Sequence, residues 1–400
     1  MTRTVPNATR ACPVCGGGER TRIFRQQFAE VEAVTLVTGY DVVVCRCCGA
    51  GFADGIPDQS AFDRYYRELS KYEYHQRDGA ESDFDRRRLA IIADILAPFV
   101  PQHDARILDV GCATGRLLAL LREKGFPNVH GLDPSPSCAA AAKRLYDIPV
   151  HTTTLSHLHE TGESFDVVIL VGVLEHINDL DTALREVHDV LSPRGIVYVE
   201  VPDALTFADW PNAPFQDFST EHINFFSPVS LANLMARHGF VTRFSEQNAR
   251  EQSYRTTMSN VSAVFQKQDV ASAPPTFDAG TEEGLRRYVD SCRTVEDRLN
   301  ARIAELAESG RAIIVWGVGT HTGRLMETSR LSEANIVAFV ESNVRYQGRT
   351  LHGSPIIAPE ALSDRSEPIL ISSRVFQHEI AQQIREGLGL RNEIITLYEV

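Results

Sequence analysis

The chain has 400 residues, of which 43% are hydrophobic and 23% are charged, and its formal net charge is −13. This length is more than one hydrophobic core serves, so we expect two or three domains of an ordinary globular kind. The acidic balance without a long basic run argues against nucleic acid as the main partner, and no apolar run reaches the length needed to cross a membrane.

The first residues contain no apolar segment of the kind found in secretory signal peptides. We therefore expect a cytoplasmic protein, in which thiols stay reduced and cysteines serve metal binding or packing. Four cysteines form two C-x-x-C-G turns, namely Cys12, Cys15, Cys45 and Cys48. Such a set predicts a closed structural zinc site, with disulfides as the alternative and Cys47 as a spare thiol. Residues 1–75 are thus predicted to be a small zinc-binding module.

A tyrosine-rich stretch ends this module, with Tyr65, Tyr66, Tyr72 and Tyr74 close together. These rings could cover a cleft of the next domain or join the module to it, and for the first two we favour packing. A helical pattern follows over residues 84–99.

The run RILDVGCATGRLL, residues 106–118, is the most informative stretch. It predicts a strand that ends in an acid, a turn carrying Gly111 and Gly115, and then a helix. Glycines let the backbone approach a ligand, and the helix N-terminus offers unpaired N–H groups. Asp109 closes this strand and Asp133 closes the next, where an acid can accept both hydroxyls of a ribose. The pattern resembles the S-adenosylmethionine site of class I methyltransferases; a structural glycine turn is the alternative.

From residue 106 onwards, apolar strands alternate with helices, which predicts a parallel sheet covered on both faces over residues 76–268. A strand predicted over residues 165–174 ends at the carboxyl edge of this sheet, where open α/β folds bind their ligands. His176 follows it directly, so we expect this side chain to face the methyl donor or the acceptor; capping of the next helix is the alternative.

A long irregular segment, residues 204–218, leads to Glu221 and His222. A histidine beside a carboxylate suits general base catalysis, because its ordinary pKa lies near neutral pH. A base is needed for methyl transfer whenever the acceptor is a C–H or a hydroxyl group. The alternative is a surface pair without a catalytic role.

Residues 269–310 are predicted to be a linker followed by a long polar helix, and residues 311–400 a second α/β module. Its first strand leads into a loop with Gly317, Gly319 and Gly323, and Glu341 closes the next strand. This is a weak nucleotide-binding pattern, and purely structural glycines are equally compatible with it.

The order of these features resembles the sugar C-methyltransferase family, which acts on nucleotide-linked 4-keto deoxysugars. The resemblance rests on the paired C-x-x-C turns, the E-H-I-N-F-F-S segment at 221–227 and the C-terminal sequence GVGTHTGRLM. It implies that His222, with Glu221, removes the C3 proton beside the ketone, that His176 is a second site histidine, and that the C-terminal module holds the nucleotide sugar. Ser219 stands where the family has a tyrosine, and Thr320 to Thr322 where its glycine loop usually carries a lysine.

The sequence therefore predicts an α/β protein: a class I methyltransferase doubly wound sheet with a small N-terminal zinc module and a C-terminal Rossmann-like module. The predicted function is S-adenosylmethionine-dependent C-methylation of a nucleotide-linked keto sugar. Two alternatives stay open: O- or N-methylation of a sugar or another small natural product, and non-catalytic binding of a nucleotide sugar. Oligomeric state is left open.

Overall fold

The structure is a computed structural model that describes residues 9–31, 34–69, 82–210, 212–268 and 274–398. Tyr72 and Tyr74, the last two tyrosines of the tyrosine-rich stretch, lie outside the residues that the structure describes. The strands are β1 (Arg20–Gln27), β2 (Gly39–Cys45), β3 (Gly51–Asp54), β4 (Ile107–Val110), β5 (Val129–Leu132), β6 (Val150–His151), β7 (Phe165–Val171), β8 (Leu191–Pro202), β9 (Asn224–Phe225), β10 (Phe240–Ser253), β11 (Thr256–Lys267), β12 (Ile313–Trp316), β13 (Ile336–Val340), β14 (Thr350–Leu351), β15 (Ser354–Ile357), β16 (Ile369–Ile371) and β17 (Ile394–Thr396). The α-helices are α1 (Gln59–Leu69), α2 (Asp83–Leu96), α3 (Arg116–Glu123), α4 (Pro136–Tyr146), α5 (Leu180–Val190), α6 (Pro228–Arg237), α7 (Gly280–Ser309), α8 (Thr320–Thr328) and α9 (Gln377–Gln382).

The central sheet has the strand order β10-β11-β8-β7-β4-β5-β6. Strands β4 to β8 run parallel, whereas β11 lies antiparallel to β8 and forms a hairpin with β10. The chain runs outwards from β4 to one edge and then returns to β7 on the other side of β4, which gives a topological switch point between these two strands. A doubly wound parallel sheet with one antiparallel strand next to its edge is the class I methyltransferase fold, as the sequence predicted.

Apolar side chains cover both faces of this sheet. Leu108 and Leu170 point into one core, against α5 and the N-terminal module, while Ile107 and Ile169 point into the other, against α2 and α3. The near-continuous apolar sequences of β4 and β7 follow from this double burial. The expected strand over residues 165–174 ends earlier, at Val171, because Gly172 adopts a left-handed φ of 67° and turns the chain.

A small antiparallel sheet, in the order β1-β2-β3-β9, forms the N-terminal module. Its fourth strand comes from the middle of the chain, because Gly51 and Phe52 pair with Phe225 and Asn224. The module's core is continuous with its neighbours: Tyr40 of β2 and Ala53 of β3 belong to one apolar cluster with side chains of α7 and of the segment that precedes and enters β9. The acid–histidine segment at 221–222 therefore directly precedes a strand that ties it to the N-terminal sheet.

The third sheet has the order β14-β15-β13-β12-β16-β17 and is parallel except for β14. The chain crosses over between β15 and β16, which makes β12 the switch strand of this sheet. The predicted second α/β module is thus a Rossmann-like sheet whose glycine loop follows its central strand. Among the helices in the described ranges, we find none with the length and apolar character that crossing a bilayer requires.

Candidate functional site

The first glycine loop lies between β4 and α3, at the switch point of the central sheet. Gly111 and Gly115 have backbone φ values of 71° and 82°, which residues that carry a side chain rarely adopt. A Cβ atom on Gly111 would lie 3.2 Å from a methyl group of Val173, so a side chain would crowd the loop after β7. The Ala113 N–H donates to Asp133 Oδ2 at 3.0 Å and the Ser135 N–H to its Oδ1 at 2.9 Å. The structure thus brings together the loop and the acid that the sequence singled out.

Two buried carboxylates meet at this loop, since Asp109 and Asp133 are 4% and 6% exposed. Burial, with the charge of Asp133 as a second cause, raises the pKa of Asp109 to about 8. A ligand that brings positive charge would relieve this repulsion. S-adenosylmethionine fits, because its methionine part carries a sulfonium and an ammonium group and its ribose offers hydroxyls to Asp133.

The turn after β7 brings Glu175 and His176 to the same edge of the sheet. Glu175 is 3% exposed, and one of its oxygens lies 3.8 Å from His176 Nε2. His176 Nδ1 lies 3.0 Å from the backbone carbonyl oxygen of Glu221. Because a carbonyl can only accept, Nδ1 carries the hydrogen of this bond, and Nε2 faces the Glu175 carboxylate.

The acid–histidine segment is held by its own turn. Ser219 Oγ accepts the backbone N–H groups of Glu221 and His222, at 3.2 and 3.0 Å, which is a short side-chain-to-backbone turn. The His222 ring lies beside His176, with ring centroids 5.0 Å apart and an edge-to-face arrangement. The two predicted histidines therefore share one site, although they are far apart in sequence.

Helix α1 adds two tyrosines to this site. The Tyr65 hydroxyl donates to Glu221 Oε1 at 3.0 Å, and the Tyr66 ring packs edge-to-face on His176 with centroids 5.7 Å apart. We expected packing for both residues, and Tyr65 differs because its hydroxyl binds the candidate catalytic carboxylate. No local signal marks it: the contact joins residues that are distant in sequence, and the only hint was the density of tyrosines.

Glu175, His176 and His222 could also hold a metal ion. Their ligand atoms all lie within 4.8 Å of one another, and one carboxylate with two imidazoles suits a divalent cation. The same three groups can therefore act either as a base with its supporting residues or as a metal site next to the methyl donor.

A cleft leads from Glu221 to the second glycine loop. Tyr65, Glu221, Gly319 and Tyr346 are among its lining residues, which come from all three parts of the chain. At this cleft the hydroxyls of Thr220 and Thr320 lie 3.3 Å apart. A ligand in this cleft can therefore contact both Glu221 and the C-terminal module.

The second glycine loop repeats the arrangement of the first. Glu341 accepts the N–H groups of Val318 and Asn343 at 3.2 and 3.1 Å, as Asp133 does in the methyltransferase sheet. Burial lowers the pKa of His321 to about 3, and its Nε2 lies 2.6 Å from the Tyr398 hydroxyl. This histidine is therefore neutral and turned inwards, so it brings no positive charge to the loop.

The four cysteines of the paired turns converge in the N-terminal module. The Sγ atoms of Cys12 and Cys48, and those of Cys15 and Cys45, are 3.6 Å apart, and all four lie within 4.8 Å of one another. A tetrahedral zinc with Zn–S bonds of about 2.3 Å would separate its sulfur ligands by about 3.8 Å. The hydrogen bond between Cys12 and Cys48 lowers the pKa of the Cys12 thiol below its ordinary value and raises that of Cys48. The cluster is geometrically compatible with zinc, and Cys47 is exposed.

Family models match the two α/β parts separately, whereas one relative matches most of the chain. Residues 84–243 match a family model described as a methyltransferase domain, and residues 309–396 match one described as C2185-like, N-terminal. The C-methyltransferase NovU of Streptomyces niveus is 25% identical over 344 residues, which are 80% of this chain and 76% of that protein.

Two further relatives match only the methyltransferase part. A ubiquinone biosynthesis O-methyltransferase of Azorhizobium caulinodans is 33% identical over 126 residues, which are 28% of this chain and 49% of that protein. The human methyltransferase-like protein 27 is 36% identical over 148 residues, 36% of this chain and 59% of that protein. The match thus spans only about half the length of these two relatives.

Similar solved structures include the 1,6-didemethyltoxoflavin-N1-methyltransferase of Burkholderia thailandensis, with a TM-score of 0.42, 20% identity and coverage of 61% of this chain and 100% of that one. The magnesium protoporphyrin IX methyltransferase of Synechocystis has a TM-score of 0.41, 15% identity and coverage of 53% and 100%. The sheet order, the glycine loop with its two acids, and the family match together identify residues 84–243 as a class I methyltransferase domain, and the chain as an S-adenosylmethionine-dependent methyltransferase.

Proposed function

We propose that this enzyme methylates a carbon atom of a nucleotide-linked 4-keto deoxysugar, with His222 as the base that forms an enolate. The observation that carries the proposal is the contact of His222 with His176 beside Glu221, which lines a cleft that continues to the C-terminal glycine loop. A C-methyltransferase that resembles this chain along most of its length supports the same reading.

The ketone makes the proton on the neighbouring carbon acidic, so a histidine of ordinary basicity can remove it. In the proposed step the C–H electron pair moves into the enolate and the proton goes to His222. The enolate carbon then forms the new bond to the methyl group that S-adenosylmethionine supplies, and the bond from that methyl to sulfur breaks. His176 and Glu175 border this place, where they can hold the acceptor and exclude water.

Glu221 and Tyr65 are suited to holding a sugar hydroxyl. The carboxylate already accepts one hydrogen bond, from Tyr65, and further lone pairs remain for an acceptor in the cleft. We propose that the rest of the substrate extends past Thr220 and Thr320 and places its nucleotide against the loop at Val318–Gly319. There the N-terminus of α8 offers N–H groups to an anion.

The Cys12, Cys15, Cys45 and Cys48 cluster completes the proposal as a structural zinc site. Its four sulfur ligands would leave no open position, so the metal would support the fold of the module that carries Tyr65.

Heavy-water exchange tests the carbon acceptor. The enzyme is incubated with nucleotide-linked 4-keto-6-deoxyhexoses in heavy water, with and without S-adenosylmethionine, and the sugars are examined by mass spectrometry. We expect one added methyl group with the donor, and deuterium at C3 of the unreacted sugar without it. Neither methyl gain nor exchange, in a protein that binds S-adenosylmethionine, would show that the acceptor is not this sugar carbon.

The second candidate is O-methylation of a hydroxyl that chelates a divalent metal. The observation that favours it is the Glu175, His176 and His222 cluster, and one relative is described as an O-methyltransferase. It predicts that turnover with a hydroxyl acceptor stops when a chelator is added and returns with a divalent ion that accepts imidazole ligands, such as Zn²⁺ or Fe²⁺. Enolate formation by His222 predicts a rate that a brief chelator treatment leaves unchanged.

A further inference from the structure

A second group of potential metal ligands lies at the edge of the central sheet, outside the site described above. His130 on β5, His151 on β6 and Glu163 before β7 place their ligand atoms within 4.8 Å of one another. Glu163 Oε1 lies 3.4 Å from His151 Nε2, and Oε2 lies 3.9 Å from His130 Nδ1. The three side chains are 24 to 32% exposed, so solvent and ions can reach them.

The sheet register explains why the two imidazoles meet. Leu132 pairs with His151 across the two parallel strands, and His130 lies two residues before Leu132, so both histidines are on the same face. Their rings stack at 6.5 Å with an angle of 14° between the planes. The Arg106 guanidinium pairs with Glu163 and also lies over the Phe165 ring, which fixes the carboxylate between the histidines.

We propose that His130, His151 and Glu163 bind a transition-metal ion of the Zn²⁺ class, with water completing its coordination. Two imidazole nitrogens and one carboxylate oxygen are a common zinc ligand set, whereas Mg²⁺ and Ca²⁺ prefer oxygen ligands alone. Tetrahedral zinc with bonds of about 2.0 Å separates its ligand atoms by about 3.3 Å. The observed 3.4 and 3.9 Å involve different oxygens of Glu163, so binding one ion requires this carboxylate to turn one oxygen towards both imidazoles.

The place of the site suggests what the metal does. Strand β6 is the edge of the sheet and pairs with β5 through only Gly131–Val150 and Leu132–His151. A metal held by both strands and by the segment before β7 would pin this short strand. The His151 carbonyl accepts the N–H of Asp133 at 3.1 Å, so the pinned strand also supports the acid of the cofactor site.

Zinc content tests the proposal. The full chain carrying Cys47→Ser, which removes an exposed thiol, is equilibrated with zinc, dialysed, and analysed for metal and for melting temperature. We expect two zinc ions per chain, one in the four-cysteine cluster and one in the new site. The His151→Ala and Glu163→Gln proteins should each bind one zinc ion fewer than the parent, and their melting temperatures should be lower than that of the zinc-loaded parent. His157→Ala, which changes an exposed histidine paired with Glu160, should keep both ions.

Cobalt distinguishes the two sites directly, because only the cysteine cluster gives thiolate-to-metal charge-transfer absorption. His151→Ala should reduce total cobalt while leaving this absorption unchanged. A single metal ion in the parent protein, or equal metal content in the parent and in the folded His151→Ala and Glu163→Gln proteins, would overturn the proposal. Circular dichroism establishes that each variant is folded.

Discussion

At the residue scale, the site depends on two histidines with different surroundings. His176 is fixed by the hydrogen bond from its Nδ1 to the Glu221 carbonyl and by packing against Tyr66. His222 lies in a turn held by Ser219 and directly follows Glu221, which lines the cleft that leads to the C-terminal module. In the proposed mechanism, His176 therefore holds the acceptor in place and His222 moves the proton.

We predict that His222→Ala lowers turnover by about 10²- to 10⁴-fold, the usual contribution of a general base. Binding of S-adenosylhomocysteine should stay within a few-fold, because Asp109, Asp133 and the glycine loop are unchanged. Initial rates and calorimetric titration measure the two effects. His238→Ala, which removes a histidine paired with Asp181 elsewhere, is the control. Equal losses of turnover and cofactor binding would mean that His222 supports the fold instead.

The buried Asp109 leads to a prediction about pH. Its pKa of about 8 in the folded protein lies above the value of about 3.9 for an exposed aspartate. The folded state then binds more protons than the unfolded state between these values, so the stability of the cofactor-free protein falls as pH rises through this window. A cationic cofactor favours the carboxylate, so its binding should release a proton.

We therefore expect the affinity of the parent protein for S-adenosylmethionine to increase between about pH 6 and about pH 8. Asp109→Asn should abolish this increase. The same substitution should raise the melting temperature of the cofactor-free protein at about pH 8, because it removes the buried charge. Calorimetry in two buffers of different ionisation enthalpy measures the released proton. An affinity that does not change with pH in the parent protein would contradict this assignment.

At the scale of elements, the glycine loop between β4 and α3 allows the need for a left-handed backbone to be separated from the need for space beside a ligand. Gly111 and Gly162 both have left-handed φ values, of 71° and 65°. A Cβ atom on Gly111 would crowd Val173, whereas a Cβ atom on Gly162 would meet no atom within 4 Å. Gly111→Ala and Gly162→Ala should each lower the free energy of unfolding by about 1 kcal/mol, because alanine resists this conformation.

Only Gly111→Ala should also weaken cofactor binding, since its methyl group pushes against Val173 at the mouth of the site. Denaturant unfolding and S-adenosylhomocysteine titration of the two variants measure this difference. Equal cofactor affinity in both would show that the ligand does not approach this loop.

The cysteine turns support a second prediction at this scale. Cys45→Ser removes one ligand of the proposed zinc, so we expect loss of one metal ion, loss of cobalt charge-transfer absorption and a lower melting temperature. Cys47→Ser changes the exposed neighbouring thiol and should alter none of these. A Cys45→Ser protein with unchanged metal content and stability would refute a metal in this cluster.

Local patterns were enough to predict the glycine loop, the acids at the ends of β4 and β5, and the alternation of strands and helices. What the sequence missed depends on contacts between distant residues. The end of β7 at Val171 follows from the conformation of Gly172, which a continuous apolar run conceals. The Tyr65 bond to Glu221 and the pairing of β9 with β3 have no counterpart in local periodicity, because tertiary packing decides them.

At the scale of the whole molecule, the three parts share their cores. Arg324 of α8 shows this best, since it is 4% exposed and bridges the C-terminal module to the other two parts. Its guanidinium donates to Glu296 of α7 at 3.1 and 2.7 Å and to Gln26 of β1, and it lies 3.9 Å from the centre of the Phe215 ring. The cleft between Glu221 and the second glycine loop depends on this arrangement.

We predict that Arg324→Met lowers the free energy of unfolding by about 3 kcal/mol, because it removes the partner of the Glu296 carboxylate, whose side chain is only 14% exposed. Arg286 and Glu282 form an exposed arginine–glutamate pair on α7 and provide the matched control. Arg286→Met should lower the free energy of unfolding by less than about 1 kcal/mol. Urea unfolding measures both. Because residues of all three parts line the cleft, Arg324→Met should also raise the KM for the acceptor. It should weaken S-adenosylhomocysteine binding less, because the proposed cofactor residues lie at the end of the central sheet. Unchanged acceptor KM in a destabilised Arg324→Met protein would show that the C-terminal module is not needed for holding the substrate.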